Sequence, residues 1–322
     1  MSEPLLEVDR LGVEFVTRHG DLRALDGVSF SMAQGEILGL VGESGAGKSL
    51  TGRAIIGLID QPGRICGGTI TFEGRRIDNL RSADLRKLRG KRIGTIFQDP
   101  LTSLDPLQRI GDQLVETIRA HLPLNAAQAR EKAIALLGEV GLPAAADRMR
   151  AWPHEFSGGM RQRVVIALAL ACDPSLLIAD EPTTALDVSV QAQIIALLRR
   201  LARAHNASVL LVTHDMGVIA EAADRVAVMY AGRVVEIGPV ADVIARPWHP
   251  YSRGLMGSIP SLREEVDRLT QIPGAMPRIG ARPEGCAYAP RCPKAEPRCR
   301  MAAPPMIEAG PRAAACIVEP AP

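Results

Sequence analysis

Long apolar runs are missing from this sequence, and so is an excess of charge of either sign. No stretch approaches the roughly 18 continuous apolar residues that a membrane-spanning helix needs. The first residues, MSEPLLEVDR, lack the basic start and apolar core of a secretory signal. Lys and Arg number 38 against 36 for Asp and Glu, so no global attraction to nucleic acid is indicated. We therefore expect a cytosolic or peripheral protein that does not bind nucleic acid.

The composition that is present is ordinary for a globular protein. Of 322 residues, 47% are hydrophobic and 23% are charged, which suits one large domain with an appendage. Two of the six cysteines, Cys66 and Cys172, stand alone, and the other four crowd the C-terminal end. This placement indicates separate roles for the two groups of cysteines.

The pattern of apolar residues changes three times along the chain. From about 5 to 40, short apolar runs alternate with turns and predict strands, whereas from about 100 to 155 the periodicity is helical. Alternation of strands and helices resumes after Ser157, which predicts a doubly wound sheet with buried parallel strands. From about 246 the chain is rich in Pro, Arg and Cys and predicts an appendage that needs a staple.

A phosphate loop is the clearest motif. GESGAGKS follows the apolar run ILGLV and precedes a predicted helix, which is the context that supports such a match. Its glycines allow backbone amides to surround phosphate oxygens, Lys48 reaches the terminal phosphates, and Ser49 offers a hydroxyl to Mg²⁺. The predicted nucleotide-binding residues are Gly42, Glu43, Ser44, Gly45, Ala46, Gly47, Lys48 and Ser49.

Two adjacent acids follow the apolar run LLIA. Asp180 ends a predicted buried strand, where a carboxylate can hold Mg²⁺, and Glu181 stands next to it to orient or deprotonate the attacking water. Without the phosphate loop, a solvated turn would be the better interpretation of this pair.

The segment FSGGMRQR, just ahead of ADEP, resembles the signature motif of ABC ATPases. Ser157, Gly158 and Gly159 precede a helical run, so their amides and hydroxyl can receive a phosphate. Further matches occur in the family's order, with Gln98 resembling the Q-loop glutamine and His214 the switch histidine. The D-loop is matched by Ala185, Leu186 and Asp187.

This resemblance implies a fold, a set of ligands and a working unit. The fold is α/β, a P-loop NTPase cassette with a RecA-like core, an antiparallel β subdomain and an inserted helical subdomain at about 100–158. Gln98 joins Ser49 and Asp180 at Mg²⁺, and His214 contacts the terminal phosphate. A second cassette is required, because each ATP lies between the phosphate loop of one cassette and the signature of the other. The family's adenine-stacking aromatic has two candidates here, Phe15 and His19, and Phe15 also suits a strand core.

Three further stretches resemble the peptide and nickel importer branch of the family: GLIDQPGRI, HPYSRGL and the C-terminal cysteine region. Taken alone, HPY predicts a surface turn. The resemblance divides the chain into a cassette, 1–245, and a C-terminal region, 246–322. It also implies a homologous second ATPase subunit, two membrane permease subunits and an external peptide-binding protein. The chain would then act at the cytoplasmic face of the bacterial inner membrane.

The C-terminal cysteines, Cys286, Cys292, Cys299 and Cys316, provide four thiolates for one centre. A disulfide pair is disfavoured in a cytosolic ATPase, and the usual spacing of a zinc site, about two to four residues, is not seen. The branch resemblance implies a [4Fe-4S] cluster, which accepts varied spacing. Zn²⁺ and unligated cysteines stay open as alternatives. A metal centre here would serve as the staple that the appendage needs.

The function expected from these features is ATP hydrolysis that energises the import of di- and oligopeptides. Nickel chelates or glutathione are alternative cargoes, because permeases and binding proteins select the cargo. A soluble ABC protein acting on DNA or ribosomes is a rival, but such proteins usually carry two cassettes or long insertions, and this chain has no heptad run.

Overall fold

The computed structural model describes residues 3–184, 186–258 and 271–319. Its strands, numbered in chain order, are β1 (Leu6–Thr17), β2 (Gly20–Met32), β3 (Ile37–Val41), β4 (Gly63–Phe72), β5 (Arg75–Arg76), β6 (Ile93–Ile96), β7 (Leu176–Asp180), β8 (Ser208–Thr213), β9 (Arg225–Tyr230), β10 (Arg233–Pro239), β11 (Ile307–Ala309) and β12 (Arg312–Ala314).

The α-helices are α1 (Lys48–Ile55), α2 (Ser82–Leu88), α3 (Pro100–Ser103), α4 (Ile110–His121), α5 (Ala126–Glu139), α6 (Ala145–Arg148), α7 (Gly158–Leu170), α8 (Val188–Ala204), α9 (Met216–Ala222), α10 (Val240–Ala245) and α11 (Pro250–Gly257). Short 3₁₀ helices cover Pro153–Glu155, Ala289–Arg291 and Pro297–Arg300. No helix in the described residues is both long and apolar enough to cross a membrane.

The chain divides into two compact units. The first contains Met1–Met32, Leu38–Asp78 and Val212–Pro322, and the second contains Ala33–Ile37 and Asn79–Leu211. The second unit holds every helix from α2 to α8, together with β6 and β7. The first unit holds the phosphate loop and the cysteine-rich C-terminal region.

An antiparallel sheet of the first unit has the strand order β2-β1-β4-β5. Along β2, buried Val28, Phe30 and Met32 alternate with exposed residues, the period of two that a half-buried strand requires. The predicted strands between about 5 and 40 are therefore present.

The other strands of the first unit follow the order β11-β12-β10-β9-β3. All five residues of β3 are buried, and β3 runs parallel to β9, as a continuous apolar run predicts. The hairpin of β11 and β12 extends this set, because β12 pairs antiparallel with β10 through Glu236 and Ile237.

In the second unit β6 and β7 are parallel neighbours, and all of β7 is buried. Helix α7 approaches β6 so closely that a Cβ at Gly94 would lie 2.3 Å from the carbonyl oxygen of Ala169. Helix α5 begins at a capping box, in which Asn125 and Gln128 satisfy each other's backbone amides. Helices α3 to α6 occupy the stretch from about 100 to 155 where helical periodicity was expected, whereas α2, α7 and α8 lie outside it.

Candidate functional site

The phosphate loop connects β3 to α1, and its conformation requires glycine at specific positions. Gly42 and Gly47 have φ values of 156° and 104°. A Cβ at Gly42 would lie 2.2 Å from the Met229 carbonyl oxygen, and one at Gly47 would lie 2.6 Å from Leu25. Both the backbone angles and the surrounding space therefore exclude other residues.

Lys48 is the first residue of α1, and only 4% of it is exposed. Its ammonium donates hydrogen bonds to the carbonyl oxygens of Gly42, at 2.7 Å, and Glu43, at 3.0 Å. These two hydrogen bonds fix the Lys48 ammonium against the backbone at the start of the loop. Ser49 follows in the first turn of α1, which contains no acidic residue to compete with a phosphate.

The middle of the loop is hydrogen-bonded within itself and to the turn between β9 and β10. The amide of Ala46 donates to the Glu43 carbonyl oxygen at 3.1 Å, and the Ala46 carbonyl oxygen accepts from Gly232 at 2.8 Å. Ala46 is buried, whereas Ser44 and Gly45 are exposed. The exposed residues leave one face of the loop open to a ligand.

In the second unit, the acids lie at the carboxyl end of β7. Asp180 ends the strand and is 9% exposed, and Glu181 follows with a φ of 46°. The Glu181 Oε2 atom accepts hydrogen bonds from Thr184 Oγ1 at 2.9 Å and from Gln98 Nε2 at 3.2 Å. Gln98 follows β6, so the parallel pairing of β6 with β7 brings these two predicted residues together.

The signature residues form the start of α7. Ser157 is its N-cap, and the hydroxyl oxygen accepts from the amide of Met160 at 3.4 Å. Gly158 and Gly159 open the helix without an acidic residue in the first turn. A Cβ at Gly159 would lie 2.8 Å from Val190. The N-terminus of α7 therefore presents amides that suit an anion.

The remaining predicted residues lie at the ends of strands and helices. His214 directly follows β8 and is exposed, and Asp215 next to it caps α9. Asp187 is the exposed N-cap residue of α8 and Leu186 precedes it, while Ala185 lies outside the described residues. The phosphate loop and His214 belong to the first unit, and Gln98, Asp180, Glu181, the signature and Asp187 belong to the second.

Phe15 lies in β1 opposite Leu22, and it is half-buried. A Cβ at Gly63 in β4 would meet the Phe15 ring at 2.8 Å, so the ring packs over the neighbouring strand. His19 is exposed in the turn between β1 and β2. Phe15 thus packs within the sheet, and nothing in these positions identifies Phe15 or His19 as the residue that stacks on adenine.

The four C-terminal cysteines, Cys286, Cys292, Cys299 and Cys316, line one small cavity. All four are free thiols. Burial raises the pKa of the Cys286 and Cys292 thiols, and the neighbouring cysteines raise both pKa values further. Within the part of the chain that the structure describes, no group of three or more His, Cys, Asp or Glu side chains is arranged to hold a metal ion.

The prediction of a surface turn at HPY is wrong. His249 and Tyr251 are 1% and 0% exposed, and His249 caps α11 by accepting a hydrogen bond at Nδ1 from the Tyr251 amide at 3.0 Å. Burial lowers the pKa of His249 to about 3. The turn is buried because Glu236, itself inaccessible, accepts both the Trp248 and the His249 amides.

Sequence reasoning also missed two residues that contact the phosphate loop. The Arg291 guanidinium binds the Glu43 carboxylate at 3.0 Å, and the Tyr251 hydroxyl accepts the Glu43 amide at 2.9 Å. The resemblance of HPYSRGL to the importer branch was the one feature of the sequence that drew attention to Tyr251. Nothing in the sequence around Arg291 connects it to the loop.

Comparison with known proteins gives two family matches. A model described as ABC transporter matches residues 25–184, and one described as oligopeptide/dipeptide transporter, C-terminal region, matches residues 235–299. Among solved structures, the dimeric ATP-binding cassette MJ0796 bound to ADP and Pi aligns with a TM-score of 0.65 at 26% identity. That alignment covers 73% of this chain and 98% of the other.

Curated relatives match along nearly the whole chain. The oligopeptide transport ATP-binding protein OppD of Salmonella typhimurium is 51% identical over 93% of this chain and 89% of its own length. The dipeptide transport ATP-binding protein DppD of Escherichia coli is 47% identical over 93% and 92%. A putative peptide import ATP-binding protein of Brucella abortus is 48% identical over 98% and 95%.

Proposed function

This chain belongs to the ABC transporter family, in the branch of oligopeptide and dipeptide ATP-binding proteins, and we propose that it energises peptide import. It binds and hydrolyses ATP as one subunit of an importer for di- and oligopeptides across the bacterial inner membrane. The observation that carries this proposal is the phosphate loop, in which buried Lys48 is held by two loop carbonyls at the start of α1.

We propose a role for each predicted residue. Backbone amides from Gly42 to Ser49 surround the phosphates, and Lys48 neutralises their charge. Hard oxygen donors suit Mg²⁺, and Ser49, Gln98 and Asp180 offer a hydroxyl, an amide and a carboxylate. When bound, Mg²⁺ neutralises charge that develops on the transferred phosphate.

Glu181 is the group that acts on the attacking water. Its Oε2 atom accepts hydrogen bonds from Thr184 and Gln98, and these hold the carboxylate in one orientation. A carboxylate fixed in this way can accept a proton from water as the water oxygen bonds to the terminal phosphorus and the bond from that phosphorus to the departing ADP breaks. His214 contacts the terminal phosphate, and this contact ends when hydrolysis releases the phosphate.

We also propose that two cassettes form the working unit. Ser157, Gly158 and Gly159 stand at the N-terminus of α7, and with Asp187 they serve the ATP bound by a second cassette. The related cassette MJ0796 has been solved as a dimer. In this proposal residues 1–245 form the cassette, with a helical subdomain at about 100–158, and 246–322 form the C-terminal region.

The proposed partners are those implied by membership of the peptide importer branch. They are a homologous second ATPase subunit, two membrane permease subunits and, indirectly, an external peptide-binding protein. The chain then acts as a peripheral protein at the cytoplasmic face of the inner membrane. The segment that follows Gln98 is the proposed contact with a permease helix.

The test is reconstitution of the chain with its permease and second ATPase subunits in proteoliposomes. Peptide-loaded binding protein should stimulate ATP hydrolysis and accumulate peptide inside. Mass spectrometry of the ligand carried by the binding protein identifies the cargo, and a nickel chelate or glutathione there would replace peptides in the proposal. Recovery with ribosomes or DNA and without permease would contradict a transport role.

We propose in addition that the four C-terminal cysteines hold a [4Fe-4S] cluster. The proposal is supported by the donor chemistry, because four free thiols from Cys286 to Cys316 line a single cavity. The four side chains are not arranged to hold a metal ion in the structure, so cluster binding requires them to move together. The cluster supplies cross-links for a segment with few regular elements, and metal binding then contributes folding free energy. No step of ATP hydrolysis passes through it.

Iron and acid-labile sulfide should be measured on protein purified without oxygen, together with visible absorption. Cys299→Ser should lose the iron, while Cys172→Ser, at a cysteine that is also buried but lies outside the cavity, should keep it. Stoichiometric zinc without sulfide would replace the cluster by a zinc site. Protein free of both metals would contradict any metal centre at these cysteines.

A further inference from the structure

Two residues of the C-terminal region, Arg291 and Tyr251, bind Glu43 of the phosphate loop. Arg291 Nη1 donates to both carboxylate oxygens of Glu43, at 3.1 and 3.0 Å. From α11, the hydroxyl of Tyr251 accepts the Glu43 amide at 2.9 Å. Both the side chain and the backbone of Glu43 are thus fixed by residues beyond position 245.

Arg291 is itself held in place on several sides. Its side chain is 7% exposed, and that of Glu43 is 29% exposed, so this ion pair is shielded more than a surface pair. Nε donates to the Pro273 carbonyl oxygen at 2.8 Å, and Nη1 also donates to the Tyr230 hydroxyl at 3.3 Å. The guanidinium therefore has little freedom to follow Glu43 if the loop moves.

Glu43 is well placed to transmit this constraint to the nucleotide site. Its carbonyl oxygen accepts from Lys48 Nζ at 3.0 Å and from the Ala46 amide at 3.1 Å. Displacement of Glu43 would therefore move the carbonyl oxygen that binds the Lys48 ammonium. It would also disturb the hydrogen bond between Glu43 and Ala46 inside the loop. Both of these groups meet phosphate in the proposed function.

The path continues from Arg291 to the cysteine cavity. Arg291 directly precedes Cys292, and Tyr288, three residues before it, also lines the cavity. The Tyr288 ring packs 5.2 Å from Tyr230 and 5.4 Å from Tyr251, measured between ring centroids. All three tyrosines of the protein thus pack together beside Glu43 and the cavity.

We propose that Arg291 is a positioning residue for ATP binding, and that the cysteine-rich region acts through it and Glu43 as a clamp on the phosphate loop. This inference rests on the proposed function, since the loop must bind ATP for the clamp to matter. If Arg291 holds Glu43 in place, the conformation of the C-terminal region determines how tightly the phosphate loop binds nucleotide. An intact clamp keeps Lys48 and the loop amides ready for phosphate, so less ordering is needed on binding.

The test is a double-mutant cycle in the full-length chain, read out as the Kd of a fluorescent ATP analogue with Mg²⁺. Arg291→Ala and Glu43→Gln should each weaken binding about tenfold, within the range of ordinary coupling between sites. The double variant should be no weaker than either single variant, because both changes break the same pair. Arg291→Lys should recover part of the affinity, since it keeps the charge and loses the planar fork.

The matched control is Arg298→Ala, which removes an exposed arginine of the same region that pairs with Glu296. Its Kd should equal that of the wild type. Glu43→Gln leaves the Arg291 contacts with backbone carbonyls intact, so it remains informative if Arg291→Ala unfolds. Additive losses in the cycle, or a normal Kd for Glu43→Gln, would overturn the clamp while leaving ATP binding in place. Failure of the wild type to bind the analogue would overturn the clamp and the proposed function together.

Discussion

Gln98 donates a hydrogen bond from Nε2 to Glu181 Oε2 over 3.2 Å. The two residues are 83 positions apart in sequence, and they meet because β6 and β7 run parallel and end at the same edge. A second hydrogen bond, from Thr184 Oγ1, reaches the same oxygen of Glu181 at 2.9 Å. The carboxylate that we assign to water activation is therefore oriented by two donors.

We expect Glu181→Gln to abolish turnover while ATP binding stays intact. The amide keeps the size of the side chain but cannot accept a proton from water, so only the chemical step is lost. The variant should accumulate as an ATP-bound pair of cassettes. ATP hydrolysis is measured by phosphate release, and association by size-exclusion chromatography with ATP.

Glu139→Gln is the matched control, because Glu139 is a surface carboxylate that pairs with His205. It should hydrolyse ATP at the wild-type rate. Turnover of Glu181→Gln within about tenfold of the wild type would remove Glu181 from the catalytic role, since loss of a general base typically costs at least about 100-fold.

Lys48→Ala should weaken ATP binding itself. The ammonium is buried and held by Gly42 and Glu43, so its removal takes away the positive charge that faces the phosphates. Lys132→Ala, at a partly exposed lysine that pairs with Asp173, is the control and should bind normally. Unchanged nucleotide affinity in Lys48→Ala would count against the phosphate-loop assignment.

Ser157→Ala should leave ATP binding to the isolated chain unchanged and reduce hydrolysis by the assembled pair. The reason is that the signature serves the nucleotide of the other cassette. Loss of the N-cap hydroxyl also costs about 1 kcal/mol of helix stability, which has to be separated from this effect.

Asn125→Ala provides that separation, because Asn125 is the N-cap of α5 and its loss removes a comparable capping bond. Both variants should lower the melting temperature by a similar amount, but only Ser157→Ala should slow hydrolysis. Equal slowing by both would mean that helix stability alone explains the result.

The sequence predicted the parts of the fold that local patterns determine. Continuous apolar runs marked β3 and β7, and the glycines of the phosphate loop were readable because only glycine adopts such φ values at close backbone contacts. The ABC cassette fold is confirmed by the family match and the solved relatives. Strands β11 and β12 were not predicted, because each has only three residues, and β12 depends on pairing with β10 and β11 on pairing with β12.

The contacts of the C-terminal region were beyond sequence reasoning for a related reason. Arg291 and Glu43 are separated by 248 positions, and an arginine in a Pro-rich stretch carries no signal of its partner. His249 and Tyr251 looked like a surface turn because HPY has the composition of one. Their burial depends on Glu236, whose carboxylate satisfies the two amides that a buried turn would leave unpaired.

His249 should make the protein lose stability as the pH falls below about 6.5. In the folded chain, burial lowers the pKa of His249 to about 3, whereas in the unfolded chain it has the ordinary value of about 6.5. Between these values the unfolded state binds the extra proton, so the free energy of unfolding decreases with falling pH. The loss from this residue is on the order of 2 kcal/mol at pH 5, and it is absent above the unfolded pKa. His249→Asn is the matched variant, because asparagine can still accept the Tyr251 amide as an N-cap and does not titrate.

Thermal unfolding of both proteins from pH 7.5 to pH 5 measures this difference. Groups that are common to both proteins contribute equally to both curves and cancel in the comparison. The wild type should lose more stability than His249→Asn, and the gap should widen steadily below pH 6.5. Parallel curves would show that His249 becomes protonated in the folded state, and that α11 can open locally without global unfolding.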